Sequence, residues 1–495
     1  MLVCAIAAFM LVPVGFVVFV AVDVGWDVLG PLVFRPKIGE LLVNTLLLVG
    51  CGVPLCTVIG VAGAWLVERT HLPGRSVWAI LLAAPLAVPA FVSSYGWVSA
   101  VPSLGGLDGG LLVAVLSYYP LVYLPVLAAV RGLDPALEES ARSLGLGGWA
   151  VFLRVVLPQL RLAIAGGALI VALHLLSEYG AFALIRFDTF TTAIVNQYQS
   201  TFAGPAANAL GIVLASICFV LLIAEASMRG RGRYARVGSG APRPAVRIRL
   251  GAWTAPVLAV LAALAILSLV VPGMSLLHWL VQPGAWDQRD LLPAFAQTIG
   301  LSVGGAVAAT LVALPVAWLG VRFPGRLARG LEAAMYVASS LPSIIIALAL
   351  VTVSLRLLPA VYQTPVTVIA AYVVIFLPRA LVSLRAGLAQ VPVHVEEAAR
   401  SLGRTPLAAK LQVTLPLMAP AIGAGAALVA LGCANELTAT LLLAPSRTRT
   451  LATQFWSASS SVDYARAAPF GLLLIALSIP AVAILLANAR KGTTR

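Results

Sequence analysis

The residues in this chain best suited to recognition or chemistry are charged side chains set between long apolar runs. Glu138, Glu139, Ala141, Arg142 and Gly145 stand in the stretch Glu138-Glu139-Ser140-Ala141-Arg142-Ser143-Leu144-Gly145, which runs on to Pro158. Glu396, Glu397, Ala399, Arg400 and Gly403 repeat it in Glu396-Glu397-Ala398-Ala399-Arg400-Ser401-Leu402-Gly403, which runs on to Pro416. Equivalent positions are 258 residues apart throughout, so the repeat has no gap. Asp134 is a suitable N-cap and Pro135 a suitable first residue, which predicts a short helix from 135. Carboxylates in the early turns complement the helix dipole, Glu138 precedes Arg142 by the four residues that favour an ion pair, and Gly145 and Gly403 suit the helix ends. A second amphipathic stretch, Trp149 to Val156 or Leu407 to Val413, then leads to the proline and the next apolar run. Two matching surface helices on one side suit a partner that is itself a dimer.

A second pair of acids, Glu178 and Glu436, is also 258 apart. The 20 residues from Pro158 to Glu178 would rise about 30 Å as a helix. A carboxylate at such depth is costly and should face a cavity or a partner. His174 lies one turn before Glu178, and Ser177 and Asn435 adjoin the acids. His174, Glu178, Asn435 and Glu436 are therefore expected to line a path that attracts a passing cation; the plainer alternative is structural acids bonded between helices. No tight resident metal is expected, because a transported ion must leave as readily as it enters. No catalytic constellation is present. The lysines Lys37, Lys410 and Lys491 follow Pro36, Ala409 and Arg490, so none belongs to a phosphate-binding Gly-Lys-Ser/Thr loop, and the four histidines are far apart.

The elements that must position these residues are membrane helices. With 61% hydrophobic and only 10% charged residues, the chain is no soluble globule. Apolar runs near 2–22, 42–67, 77–101, 111–131, 157–185 and 209–228 predict six spans, and those near 252–272, 297–321, 331–357, 362–385, 414–443 and 469–488 predict six more. The expectation is an all-α polytopic protein of about twelve helices in two parallel six-helix repeats, 1–228 and 252–495, joined by a basic linker over 229–251. Pro85, Pro89, Pro120, Pro125, Pro342 and Pro378 fall within spans and read as tolerated kinks. The net charge of +14 sits between apolar runs and not on a soluble domain with interleaved aromatics, which argues for topology and against nucleic acid. The positive-inside rule puts the linker, both repeated motifs and both termini in the cytoplasm.

The order Glu397-Ala398-Ala399, Gly403, Val413 and Leu415-Pro416, with Glu139-Ser140-Ala141, Gly145, Val155 and Leu157-Pro158, resembles the coupling-helix signature of ATP-binding-cassette importer permeases of the type I fold. Coupling helices near 135–157 and 393–415 would then dock on two copies of a cytosolic ATPase, which binds the ATP and magnesium. An extracytoplasmic solute-binding protein would deliver the cargo, and the chain itself would need no cofactor. The site would be a bacterial inner membrane. His71-Leu72-Pro73-Gly74-Arg75 with Pro85-Leu86-Ala87-Val88-Pro89-Ala90, and Glu436-Leu437-Thr438-Ala439-Thr440-Leu441-Leu442-Leu443 with Arg466-Ala467-Ala468-Pro469, resemble the fused permeases of ferric-iron importers. Thiamine, a polyamine or a small anion are the alternative cargoes. A twelve-span secondary transporter of the major facilitator type would share the two parallel halves. It offers no reason for motifs duplicated late in each half, and Glu68-Arg69-Thr70-His71-Leu72-Pro73-Gly74-Arg75 fits its basic loop poorly.

Overall fold

The computed structural model describes residues 1–23, 25, 30–31, 34–199, 204–229 and 247–491. Most of the expected linker, including Arg231, Arg233, Arg236 and Arg243, lies outside the described residues, as does Asp27. Within them the chain is helical, and an isolated parallel bridge joins Thr70 to Ile248. In a lipid environment each backbone group must be satisfied within its own segment, which the helix achieves. Among the described residues nine helices are long and apolar enough to cross a membrane, and three bent pairs pass the same test together. Counting each bent pair as one crossing gives twelve.

The crossings are, in order, the bent pair Leu2–Met10 and Val12–Asp23, then Pro36–Arg69, the bent pair Arg75–Ala87 and Ala90–Ala100, Gly106–Arg131, Gly148–Ser177 and Ala206–Glu225. The second half follows with Gly251–Leu280, Leu291–Arg322, the bent pair Arg326–Ser339 and Ser343–Leu357, Pro365–Ala389, Pro406–Ala434 and Tyr464–Leu486. Three expected straight spans are thus corrected: 2–22 bends by 48°, and 77–101 and 331–357 turn sharply, by 91° and 98°. Pro89 and Pro342 stand at these corners with extended ψ of 141°, each capping the helix that follows. A proline lacks the N–H that would continue a helix and forces its predecessor out of helical geometry, so these two residues are corners and not mild kinks. Pro378, by contrast, stays inside its helix, where the Ser339 hydroxyl donates at 2.7 Å to the Val374 carbonyl that the proline leaves free.

Ion pairs decide whether each corner belongs to a crossing or to a loop that returns to its own side. Arg69, at the end of the second crossing, lies 2.9 Å from Glu138, beyond the fourth. Glu68 is likewise bonded to Arg131. Arg322 and Glu396 make the same connection in the second half at 3.0 Å. An even number of crossings must separate these partners, so both bent pairs cross.

The first crossing of each half packs on the other half. Leu2–Met10 lies against Arg326–Ser339 and Val12–Asp23 against Ser343–Leu357, while Val271–Leu280 lies against Ala90–Ala100. This exchange puts both repeated motifs at one face, with the start of the chain and Ile248. The halves are sealed by close contacts. A Cβ at Gly96 would lie 2.6 Å from Pro272, and the Tyr95 hydroxyl donates at 2.8 Å to the Tyr464 carbonyl.

Candidate functional site

The first motif forms the helix Pro135–Ser143, with Asp134 accepting from the Ala136 N–H at 3.0 Å, and the second forms Val393–Ser401. Gly145 and Gly403 take left-handed φ values of 85° and 86°. In both copies two backbone bonds close the helix end. Gly145 N–H donates to Arg142 O and Leu146 N–H to Ala141 O, at 2.9 and 3.1 Å; Gly403 and Arg404 do the same to Arg400 and Ala399 at 3.0 and 3.2 Å. This is the six-residue Schellman closure, for which a left-handed glycine is the favoured residue. The expected surface helix after each glycine is instead continuous with the next span. Gly148–Ser177 and Pro406–Ala434 run unbroken through one wide π turn each, at Phe152–Val156 and Lys410–Thr414. Pro158 and Pro416 follow that turn directly, and the wider turn accommodates the hydrogen bond each proline cannot make.

Glu138 sits 3.7 Å from Arg142, as its spacing predicts, but its nearer partner is Arg69. Arg69 also reaches the Val130 carbonyl and lies 5.7 Å from the centre of the Trp65 ring. Arg322 repeats this with Glu396, the Val391 carbonyl and Trp318, again 5.7 Å away. Each motif is therefore tied to the end of the second span of its own half. The sequence alone assigned Arg69 and Arg322 no role in the site. The signal was there: Ala64-Trp65-Leu66 before Arg69 matches Ala317-Trp318-Leu319 before Arg322, at an offset of 253.

The outer surface of each motif is charged and apolar by turns. Glu139, Arg142, Glu397 and Arg400 are exposed. Leu144 and Leu402, at equivalent places, are 83% and 84% exposed, and Trp149 and Leu407, also equivalent, are exposed beside them. Large apolar side chains exposed together, rimmed by charged residues, are a feature that marks interaction surfaces.

The second group of candidates meets between the halves. Glu178 breaks the fifth span with an extended backbone, and its carboxylate accepts from the Ala181 N–H at 2.9 Å and the Tyr118 hydroxyl at 2.5 Å. Glu436 accepts from the Ala439 N–H at 3.0 Å. Both acids thus cap a short helix, Gly180–Leu184 or Thr438–Leu443, and the expected spans 157–185 and 414–443 end at Ser177 and Ala434. The two carboxylates nonetheless lie within electrostatic reach of each other, from opposite halves. Ser177 joins them, its hydroxyl accepting from the Ser343 N–H at 3.3 Å. His174 bonds the Ile170 carbonyl at 2.9 Å and packs on Tyr118. Asn435 turns away, donating to Ser478 at 2.9 Å, so it is tied to the last span and not to the acids. Among the described residues no group of three or more His, Cys, Asp or Glu could hold a metal ion.

One member of this cluster escaped the sequence reading. Arg379 lies midway along Pro365–Ala389, exposed, with its guanidinium 4.8 Å from the centre of the Phe376 ring and within electrostatic reach of Glu436 and of His174 in the other half. A charge inside an apolar run was its signal.

Twelve crossings in two interlocked halves, polar residues of both halves meeting between them and two matched motif helices at one face define a membrane translocation subunit of dyadic build. The chain belongs to the family described as binding-protein-dependent transport system inner membrane component, whose model matches residues 5–231 and 305–491. It is similar to the Fe(3+)-transport system permease protein FbpB 2 of Haemophilus influenzae, 35% identical over 471 residues, which is 94% of this chain and 93% of the relative. It is also similar over 36% of its length to the sulfate transport system permease protein CysW of Synechocystis, 28% identical and covered to 72%. The molybdenum transport system permease protein ModB of Escherichia coli is 29% identical over 25% of this chain and 60% of its own.

Proposed function

We propose that the chain is the translocating subunit of an ATP-driven importer for ferric iron, delivered by an extracytoplasmic binding protein and powered by two copies of a cytosolic ATPase. The observation that carries the coupling is the duplicated motif, with its closed helix end, its outward leucine and its ion pair to the second span in both halves. Iron is supported by the similarity to the ferric permease, which extends over both halves. The sulfate and molybdenum permeases match shorter stretches.

The motif face, with both termini, is the cytoplasmic face. ATP and magnesium bind only to the partner ATPases. When these close, they draw Pro135–Ser143 and Val393–Ser401 together, and the Arg69 and Arg322 pairs carry that movement into Pro36–Arg69 and Leu291–Arg322. The cleft around Glu178 and Glu436 then opens outward to accept the cargo, and hydrolysis resets it. Glu139, Arg142, Glu397 and Arg400 meet the ATPase groove, with Leu144, Trp149, Leu402 and Leu407 as its apolar anchors. Glu178 and Glu436 contribute negative potential to the path from their capping positions, with His174 beside them.

Proteoliposomes holding this chain, its ATPase and an iron-loaded binding protein should accumulate radiolabelled iron on addition of ATP. Uptake that survives loss of the ATPase and stops with a proton uncoupler would refute the proposal.

A further inference from the structure

We propose that Arg379 is the group in the translocation cleft that recognises negative charge on the cargo, so that iron crosses as a complex with an anionic ligand and not as a bare trivalent cation. The inference rests on the iron reading for the metal, but the role of Arg379 rests on the cleft itself.

The two halves are built unequally around this side chain. At the repeat offset of 258, Arg379 corresponds to Leu121 and Gly432 to His174. A Cβ at Gly432 would lie 2.6 Å from Nη1 of Arg379 and 2.7 Å from the Phe376 ring. The second half therefore gives up the side chain that the first half keeps as His174, and the guanidinium occupies the space. A charged group at that depth is retained for a partner.

The partner is not a carboxylate of this chain. Among the described residues no Asp or Glu forms an ion pair with Arg379, which packs on the Phe376 ring and Gly432 and lies within electrostatic reach of Cys433, Glu436 and His174. Glu436 accepts from the Ala439 N–H, and Glu178 from Ala181 and Tyr118. A planar guanidinium open to the cleft, with its N–H groups unclaimed by carboxylates, suits the oxygens of a phosphate- or carboxylate-like anion. The same feature disfavours a bare trivalent ion. Such an ion would exchange its hydration shell for two carboxylates already engaged as helix caps, next to a fixed positive charge. A ferric ion whose charge is met by anionic ligands presents oxygens to Arg379 instead.

The test measures charge moved per iron in proteoliposomes holding the whole transporter, with an iron-loaded binding protein, radiolabelled iron and a calibrated voltage-sensitive dye. At most one positive charge per iron is expected. Arg379→Leu should lower iron uptake by more than about tenfold, Arg379→Lys by less, and Gly432→Leu, which displaces the guanidinium, by as much as Arg379→Leu. Stimulation of ATP hydrolysis by the binding protein should persist in all three. Three positive charges per iron in the unaltered protein would overturn the proposal, and that measurement needs no variant to fold. Unchanged uptake in Arg379→Leu would overturn it equally. Vesicles that take up radiolabelled sulfate or molybdate but no iron, and lose that uptake in Arg379→Leu, would reject iron as the cargo while sustaining the role of Arg379.

Discussion

Breaking the ion pair between each motif and its neighbouring span should uncouple ATP hydrolysis from transport while leaving the chain folded. The Arg69 and Glu138 side chains are 4% and 7% exposed, and Arg322 and Glu396 are 12% and 15% exposed. Truncating one partner of a buried pair strands the other charge, at a general cost of ~3–5 kcal/mol. Here each stranded guanidinium keeps a backbone carbonyl and a tryptophan face, so the loss should fall below that range, at about 2 kcal/mol for Glu138→Ala or Glu396→Ala. In an equilibrium between a motif held on its span and one released from it, that is about 30-fold. The two sites differ in kind. The Arg322 contact is also an aligned hydrogen bond, whereas the more deeply buried Arg69 contact leaves Glu138 Oε1 without one. Glu396→Ala therefore loses a bond and Glu138→Ala mainly a charge, and because both pairs are largely withdrawn from solvent neither should weaken markedly with rising ionic strength, the first-half pair least. The assay is ATP hydrolysed per solute imported in proteoliposomes, read beside thermal melting. The double variant Glu138→Ala/Glu396→Ala should raise the ratio by roughly tenfold or more, and the swap Arg69→Glu/Glu138→Arg should recover more than additivity allows. An unchanged ratio in the double variant would refute the reasoning.

Four further outcomes are expected. Gly145→Val with Gly403→Val forces a branched side chain into left-handed backbone, costing about 1–2 kcal/mol at each site, and should abolish ATPase co-purification without affecting solute capture by the binding protein. Since nothing beyond the flanking residues lies within 4 Å of either added Cβ among the described residues, survival of both ATPase association and uptake would overturn the docking role. Leu144→Asp with Leu402→Asp should also remove ATPase association but leave the melting temperature unaltered, because both leucines stand free of the fold. Glu178→Ala should destabilise by about 1 kcal/mol through the lost cap. Glu178→Gln/Glu436→Gln, whose amide oxygens can still accept from Ala181 and Ala439, should keep the melting temperature and lose uptake; full uptake in that variant would make both acids purely structural.

The amino-acid sequence by itself determined that the chain is a helical membrane protein of two repeated halves and that its polar motifs recur as a pair. Those features are local: apolar run length sets a span, a capping aspartate and a left-handed glycine set the ends of a short helix, and a constant offset exposes duplication. The corners at Pro89 and Pro342 were visible as prolines but not as right angles, because a proline within a span can either bend it or, like Pro378 with Ser339 beneath it, be absorbed. Glu178 and Glu436 stood out in the sequence by their depth and constant offset, but their immediate use as helix caps depends on where the backbone breaks. Only the tertiary structure joined Arg69 to Glu138 across 69 residues and Arg322 to Glu396 across 74, and brought Arg379 toward Glu436 and His174. Such contacts follow from how the helices cross and how the two halves exchange their first spans. No periodicity along one chain encodes them, because the groups that must neutralise a charge inside a membrane come from whichever helix the packing brings alongside.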